Sequence, residues 1–283
     1  MLRSLPFVLL LCACGTTPSS SDGGALDAGL DAGLDAGLDA SVFDAAPIEA
    51  GMDATSATDA GADASSPSDG GLGPLFAITG ECGVLDTELT DTDPHWIQNA
   101  SVFTDGWALA QADRLSAGAQ TILAEGTAGG SSGYSEAFAF EVLHRCEGAS
   151  LVATETNIRY SVPMPGSITD ILVEIDGWRI GVSVTRAVTV TGMCIRSDAP
   201  DTTALADLLT RKLSGVNESS MLVAPEHQWV KQILFVYADT SAHAAAVMSA
   251  WSSLDATLRA DTILFVSVSE AMDGFIYFED RCP

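Results

Sequence analysis

The chain of 283 residues predicts an α/β domain with a mixed β-sheet flanked by helices. Two observations favour this class. An Asp-Gly pair at 176–177 joins two alternating apolar runs, and segments with helical and strand periodicity alternate from residue 134 onward. Because such alternation is typical of one sheet covered by helices, we expect a single well-buried α/β domain at this end of the chain.

The elements follow one another after a Gly-rich loop that ends near residue 133. Ser135 is expected to cap the first helix, and Glu136 then lies in the first turn, where the helix dipole favours a negative charge. That helix should end near Cys146. Further strands are predicted at 151–162, 230–238 and 262–269, helices at 202–216 and 244–258, and an edge strand at 275–278.

The stretch TDILVEIDGWRIGVSVTR, residues 169–186, predicts a β-hairpin with a two-residue turn, because glycine accepts the positive φ that such a turn requires. The register then follows from the turn. Ile175 faces Trp178, and at the far end Asp170 faces Ser183. One face of the hairpin is continuously apolar and should lie in the core, and the other face carries Asp170.

The order of helix, three strands, helix and strand resembles the restriction-endonuclease-like fold over about residues 134–238. In active members of that family, an aspartate on the second strand and an acid-x-Lys motif on the third hold a divalent cation and orient a water for phosphodiester cleavage. A helix glutamate often assists. The resemblance implies that Asp170 is the metal ligand, and Ser183 and Thr185 stand at the acid and lysine positions.

Two functions follow from this incomplete motif. The first is a noncatalytic binding or structural module on a degenerate nuclease-like fold, for which we expect no cofactor. The second is a nuclease that depends on Mg²⁺, in which Glu136 or Glu141 supplies the second carboxylate and Lys212 or Lys231 replaces the missing lysine. Glu174 lies about 13 Å along the strand from Asp170 and cannot share its ion.

A third function is a serine hydrolase. Residues 129–133 match the GxSxG nucleophile elbow, with Ser131 as the nucleophile and a possible short strand at 121–124 before it. His227 and His243 follow in the order that a catalytic triad requires, with Asp176 or Asp201 as the acid. A Gly-Ser loop that leads into a capped helix explains the same residues.

Residues 1–14 predict an export signal, because Arg3 precedes an apolar run that is too short to span a bilayer about 30 Å thick. Leu11, Cys12, Ala13 and Cys14 resemble the bacterial lipobox, in which the last cysteine carries the lipid. The resemblance implies lipidation at Cys14 and a place at the outer membrane or cell surface, with the membrane as a partner through the lipid. An ordinary cleaved secretory signal is the other reading.

Residues 15–74 carry eleven acidic residues and no Lys or Arg, and they include the repeat ALDAGLDAGLDAGLDA. A glycine at every fourth residue destabilises a helix, and so does repulsion between aspartates at i, i+4 spacing. We therefore expect a disordered tether. After it we expect a β or irregular appendage at 75–133 and the α/β domain at 134–283. Residues 75–283 still hold 27 acidic against 11 basic residues, which argues against tight nonspecific binding to nucleic acid and leaves the protein or ligand partner unknown.

Four cysteines remain outside the signal region: Cys82, Cys146, Cys194 and Cys282. An even number in an exported chain predicts two disulfides, with three possible pairings. We favour a bridge between Cys82 and Cys282 that ties the two ends of the domain together. Free buried cysteines are the alternative.

Overall fold

The computed structural model describes residues 75–128, 132–162 and 166–278. The strands are β1 (Phe76–Gly80), β2 (His95–Phe103), β3 (Ser150–Thr154), β4 (Ile171–Ile175), β5 (Trp178–Ala187), β6 (Thr189–Gly192), β7 (Ile195–Ser197), β8 (Lys231–Ala238) and β9 (Ile263–Ala271). The helices are α1 (Ala117–Glu125), α2 (Gly133–Glu147), α3 (Thr202–Leu222), α4 (Ser241–Ser253), α5 (Ala256–Arg259) and α6 (Gly274–Phe278).

Seven strands form one mixed sheet in the order β1, β2, β9, β8, β5, β4, β3, and β6 and β7 pair as a separate hairpin. The four central strands β2, β9, β8 and β5 are parallel to one another, and the strands outside them are antiparallel to their neighbours. The predicted mixed α/β class is therefore confirmed. The N-terminal β segment adds β1 and β2 to one edge of the sheet.

Helices cover both faces of the sheet. On β8, Ile233, Phe235 and Tyr237 pack into the core that contains α2, and the alternate residues Leu234 and Val236 pack into the core that contains α3 and α4. Since both faces are covered, every residue of β8 is buried. This explains why its sequence is almost continuously apolar instead of alternating.

The predicted hairpin is confirmed residue by residue. Ile175 pairs with Trp178, and the register continues to the pair of Ile171 and Val182. Asp176 and Gly177 have φ of 49° and 81°, so both turn residues are left-handed. A two-residue turn of this kind matches the twist of the strands it joins, which fixes the register of β4 against β5.

Helix α2 begins earlier than expected. Its N-cap is Ser132, and the hydroxyl of Ser135 donates to the carbonyl of Ser132 at 2.8 Å, so the prediction that Ser135 is the cap is wrong. Glu136 is nevertheless in the first turn, as predicted. The helix is buried nearly all round because the sheet, α1 and α6 all pack against it.

Three predicted strands differ in the structure. Residues 121–124 belong to α1, and residues 275–278 belong to α6, whose Phe275 and Ile276 are buried in the core beside α2. Four consecutive apolar residues indicate burial but do not separate a strand from a short helix. The strand expected at 151–162 ends at Thr154.

Two helices have different lengths from those predicted. Helix α3 continues past residue 216 to Leu222. The single helix expected at 244–258 is divided into α4 and α5, because Thr240 caps α4, Leu254 leaves the helical conformation, and Asp255 caps α5. These hydroxyl and carboxylate caps satisfy backbone N–H groups at each new start.

A disulfide joins Cys82 to Cys146, so the favoured pairing of Cys82 with Cys282 is wrong. The bridge holds the loop after β1 against the end of α2. Beside it, the Glu147 carboxylate accepts backbone N–H groups from Gly83 at 3.0 Å and Leu85 at 3.1 Å. Cys194 is also disulfide-bonded, and Cys282 lies outside the described residues.

Strand β3 forms one edge of the sheet. Its pairing with β4 is interrupted by a bulge between Leu151 and Ala153. Helix α1 lies against the same strand: a side chain added at Gly118 would meet Phe140 of α2 and Leu151 of β3. This edge is therefore irregular and partly covered.

Candidate functional site

Asp170 is the last residue before β4 and is partly buried. Its Oδ2 accepts the backbone N–H of Val184 on β5 at 2.5 Å. Continuing the observed register by one pair places Asp170 opposite Ser183, as the sequence predicts. The carboxylate therefore links the start of β4 to β5.

Glu136 reaches the same region from the first turn of α2. The residue is 1% exposed, and its Oε1 has no hydrogen-bond partner among the described residues. Burial, reinforced by the negative charge of Asp170, raises the pKa of Glu136 to about 9. The structure thus brings together two of the predicted site residues, and Glu136 is protonated at neutral pH.

Further polar groups surround this acid pair. Tyr160 accepts the backbone N–H of Thr169 through its hydroxyl at 2.7 Å, and burial raises the pKa of that hydroxyl. The Glu155 carboxylate accepts the N–H of Ala128 at 2.6 Å, and its charge contributes to the raised pKa of Glu136. The region is therefore enclosed and acidic.

A basic side chain, Arg186 of β5, has the opposite electrostatic effect on Glu136. Its charge lowers the pKa of Glu136 and so opposes the larger effect of burial. Its Nη1 donates to the carbonyls of Ile276 at 3.4 Å and Tyr277 at 3.3 Å, near the end of α6. Arg186 therefore connects the acid pair to the segment that follows β9.

Ser183 and Thr185 occupy the two positions at which the nuclease motif carries an acid and a lysine. Each is about 7% exposed. They pair with Leu234 and Val236 of β8 across the parallel ladder. At these positions the chain offers hydroxyl groups and no charge.

The structure does not bring Glu141 to Asp170. The Oε2 of Glu141 instead accepts the backbone N–H of Ser116 at 2.9 Å, at the N-terminus of α1. Because residues 136 and 141 are separated by about 140° around the helix, their side chains leave α2 in different directions.

The lysines also lie elsewhere. Lys212 is on α3, two turns or about 10 Å before Ser219, the residue that contacts Thr169 next to the acid pair. Lys231 is fully buried and donates to the carboxylate of Asp91 at 2.8 Å and to the carbonyl of Asp93 at 2.9 Å. Lys231 therefore holds the loop before β2.

In the described part of the chain, Asp170 and Glu136 are the two carboxylates of this region that could ligate Mg²⁺. Mg²⁺ prefers six oxygen ligands and is usually held by one or two carboxylates, with waters or substrate phosphates in the other positions. Here the strands offer one carboxylate, which already accepts a backbone N–H. Within residues 75–128, 132–162 and 166–278, no three His, Cys, Asp or Glu side chains meet as metal ligands.

The hydrolase residues have structural roles or lie outside the described part of the chain. His227 accepts the backbone N–H of Arg159 through Nδ1 at 2.8 Å. The ring of His243 is buried between the hydroxyls of Thr240 and Thr189. Asp176 forms the hairpin turn, Asp201 caps α3, and Ser131 lies outside the described residues.

Arg186, Glu155 and Tyr160 were missed by the sequence reasoning. Arg186 could have been found, because strand alternation places it on the same face as Val182 and Val184, towards α2. Glu155 and Tyr160 carry no such signal, since they follow β3 in irregular structure. Only the fold brings them to the acid pair.

Comparison with known proteins adds little. No family model matches the chain. The AAC-rich mRNA clone AAC4 protein of Dictyostelium discoideum is 41% identical over 156 residues, which are 54% of this chain and 22% of that protein. The chain thus matches about a fifth of that relative, whose name states no activity.

Among solved structures, the SfsA protein of Pyrococcus furiosus, in complex with Ca²⁺, matches with a TM-score of 0.22 and 14% identity. The match covers 51% of this chain and 59% of that one. A likeness at this level establishes neither fold nor function.

The predicted membrane anchor and tether belong to the first 74 residues of the chain. None of the helices in the described part of the chain combines the length and apolarity needed to cross a bilayer. Cys14 and the acidic segment 15–74 lie outside the described residues.

Proposed function

We propose that the chain is a noncatalytic binding or structural module built on a degenerate restriction-endonuclease-like core. The observation that carries this proposal is the pairing of β4 with β5, which puts Asp170 beside Ser183 and leaves Thr185 at the lysine position. Phosphodiester cleavage by this family needs an acid and a lysine there, and two hydroxyls cannot neutralise a metal or a developing negative charge in the same way.

The element order supports the likeness of the core. Helix α2 is followed by β3, β4 and β5, then by α3 and β8, with the β6–β7 hairpin inserted. Asp170 precedes the second strand, and Glu136 is on the first helix, at the positions where the family carries its carboxylates. The chain therefore matches the family at the aspartate before the second strand and at the helix glutamate. It differs from the family at the acid-x-Lys positions, which are Ser183 and Thr185.

The present use of the side chains supports a noncatalytic role. Asp170 binds the Val184 N–H, and Lys231 is fully engaged with the loop that contains Asp91. The net negative charge of residues 75–283 also opposes approach of a polyanion. Binding or structural support needs none of the missing charges.

A cleavage assay tests this function. The full chain is incubated with supercoiled plasmid, single-stranded DNA and RNA, with Mg²⁺ or with EDTA, beside the variants Asp170→Ala and Asp207→Asn. Asp207 is an exposed acid on α3 and serves as a charge-matched control. We expect no cleavage above background by any of these proteins.

The alternative, a nuclease that depends on Mg²⁺, is favoured by one observation. The Oε1 of Glu136 is buried and unpartnered beside Asp170, an arrangement that a cation could use. Cleavage that needs Mg²⁺, is lost in Asp170→Ala and Glu136→Gln, and persists in Asp207→Asn would establish this alternative and refute the noncatalytic proposal.

We also propose that the chain is anchored to the outer membrane or cell surface through a lipid on Cys14. The support is the lipobox resemblance at residues 11–14 together with the export signal and the acidic tether. Growth with radioactive palmitate should label the wild-type chain and Cys12→Ser, but not Cys14→Ser. Equal labelling of both cysteine variants, or none of the wild type, would contradict lipidation at Cys14.

A further inference from the structure

A pocket of about 600 Å³ opens at the carboxyl ends of the parallel strands β8 and β9. Asp239 and Thr240 line it where β8 leads into α4, and Ser269 and Glu270 line it at the end of β9. The β6–β7 hairpin forms the remaining wall. Open α/β sheets commonly bind ligands at this edge, and the pocket is separate from Asp170, so its function does not depend on whether the nuclease-like site is active.

The floor of the pocket is a charged network centred on Arg196 of β7. Its Nη1 donates to Asp239 Oδ1 and, at 3.0 Å, to Asp273 Oδ2, and its Nη2 donates to Asp273 Oδ1 at 2.7 Å. Ser269 also donates to Asp273 at 2.8 Å. The guanidinium lies 4.8 Å from the ring centre of Tyr277. Both oxygens of Asp273 are therefore satisfied and Arg196 is fixed.

Asp239 differs from Asp273, because only one of its two carboxylate oxygens accepts a hydrogen bond from the described residues. Its side chain is only 5% exposed, and Oδ1 accepts from Arg196. Oδ2 has no hydrogen-bond partner within the described part of the chain, and the residue lines the pocket. Burial raises the pKa of Asp239, and the charges of Asp273 and Asp198 add to that effect. The Asp239 side chain is thus largely buried, and one of its oxygens is left without a protein donor in the described ranges where the residue lines the pocket.

The charge around the pocket favours a cation. Asp198 and Glu270 are exposed at its rim, so four carboxylates stand against the single guanidinium of Arg196 among the lining residues. This balance opposes a phosphate at the N-terminus of α4. A divalent ion is also disfavoured, because the Nη1 of Arg196 already lies between Asp239 and Asp273, where a bridging metal would have to bind.

Apolar side chains of the β6–β7 hairpin are exposed at or beside the pocket. Ile195 lines the pocket and is 58% exposed, and Met193 in the hairpin turn is 90% exposed. Apolar contact at the rim and a free carboxylate oxygen below it match a cation carried on an aliphatic stem.

We propose that this pocket binds a basic peptide segment through a lysine or arginine side chain. The cationic head donates to Asp239 Oδ2, with Asp198 and Glu270 nearby, and the stem lies against Ile195 and Met193. The negative field of the whole domain steers such a segment towards the site.

Calorimetric titration of the full chain tests the proposal with two probes. One is the blocked pentapeptide acetyl-Ala-Leu-Lys-Leu-Ala-amide, and the other replaces its lysine by norleucine, which keeps the stem and removes the charge. We expect the lysine peptide to bind about tenfold or more tightly than the norleucine peptide. Equal affinity for the two, or no binding of the lysine peptide, would overturn the proposal.

Variants then locate the site. Asp239→Asn should weaken binding of the lysine peptide about tenfold, whereas Asp207→Asn, which removes the same charge from an exposed position on α3, should leave it nearly unchanged. If both variants weaken peptide binding equally, the net charge of the protein explains the effect, and the proposed site is refuted. Stoichiometric displacement of the peptide by Mg²⁺, Ca²⁺ or phosphate would show that the ligand class is wrong.

Loss of Asp239 could leave Arg196 short of a partner and unfold the chain, which circular dichroism would reveal. Two rim variants avoid this risk, because Glu270 and Ile195 are exposed. Glu270→Gln and Ile195→Ser should each weaken the lysine peptide two- to fivefold, roughly the effect of one exposed contact. Unchanged affinity in both would refute the proposed mode of binding.

Discussion

Replacing Glu136 by glutamine should remove a loss of stability that the wild-type protein suffers as pH rises. The pKa of this buried carboxyl is raised from an ordinary value of 4.5 to about 9. Between these values the folded chain holds a proton that the unfolded chain releases. The stabilisation is therefore complete below about pH 4.5 and declines as pH rises towards 9. At about 1.4 kcal/mol per pH unit, the wild type should have lost about 3.5 kcal/mol at neutral pH.

Urea denaturation of both proteins between about pH 5 and pH 8 measures this effect. The difference in free energy of unfolding, Glu136→Gln minus wild type, should rise by about 1.4 kcal/mol per pH unit. Other titrating groups, such as His243, are present in both proteins and cancel in the difference. Glu141→Gln on the same helix controls for the substitution itself. A difference that does not change with pH would refute the reasoning.

Three further predictions concern stability. Lys231→Met should lower the free energy of unfolding by about 3 kcal/mol, because three hydrogen bonds from a buried ammonium are lost. Gly181→Ala should cost about 1 to 3 kcal/mol and shift tryptophan fluorescence, because the added Cβ would lie 2.8 Å from the Trp229 ring. Replacing Cys82 and Cys146 by serine should cost about 2 to 4 kcal/mol in thermal denaturation, since the bridge closes a loop of 64 residues.

Each of these has a matched control. For the buried lysine it is Lys212→Met, on the half-buried face of α3, which should cost much less. For Gly181 it is Gly274→Ala, where an added Cβ meets nothing within 4 Å. For the disulfide, a reductant should lower the stability of the wild type more than that of the double serine variant, which keeps only the bridge at Cys194. Equal effects of test and control would contradict the corresponding explanation.

The sequence predicted the part of the fold that depends on local geometry. The Asp-Gly pair at 176–177 determines the turn, and the turn determines every pairing from Ile175 back to Ile171. From that register alone Asp170 is placed beside Ser183. Long amphipathic segments such as α3 are predicted for a similar reason, since their periodicity is set by a single buried face.

Features that depend on contacts between distant segments could not be predicted in this way. The partner of Cys82 is decided by how α2 crosses the sheet, and residues 275–278 form a helix because the chain turns after β9. In the candidate site, too, some features follow from local spacing and others only from tertiary packing. Helical spacing places Glu136 in the first turn of α2, but only the packing of α2 makes it a buried partner of Asp170.

The irregular β3 edge has a consequence for how copies of this protein behave together. An open edge strand can template the addition of another chain, and continued addition leads to fibres. The bulge between Leu151 and Ala153 breaks the even row of N–H and carbonyl groups that such growth would need, and α1 narrows the approach. Copies of the protein at high local concentration are thereby protected from polymerising through this side of the sheet.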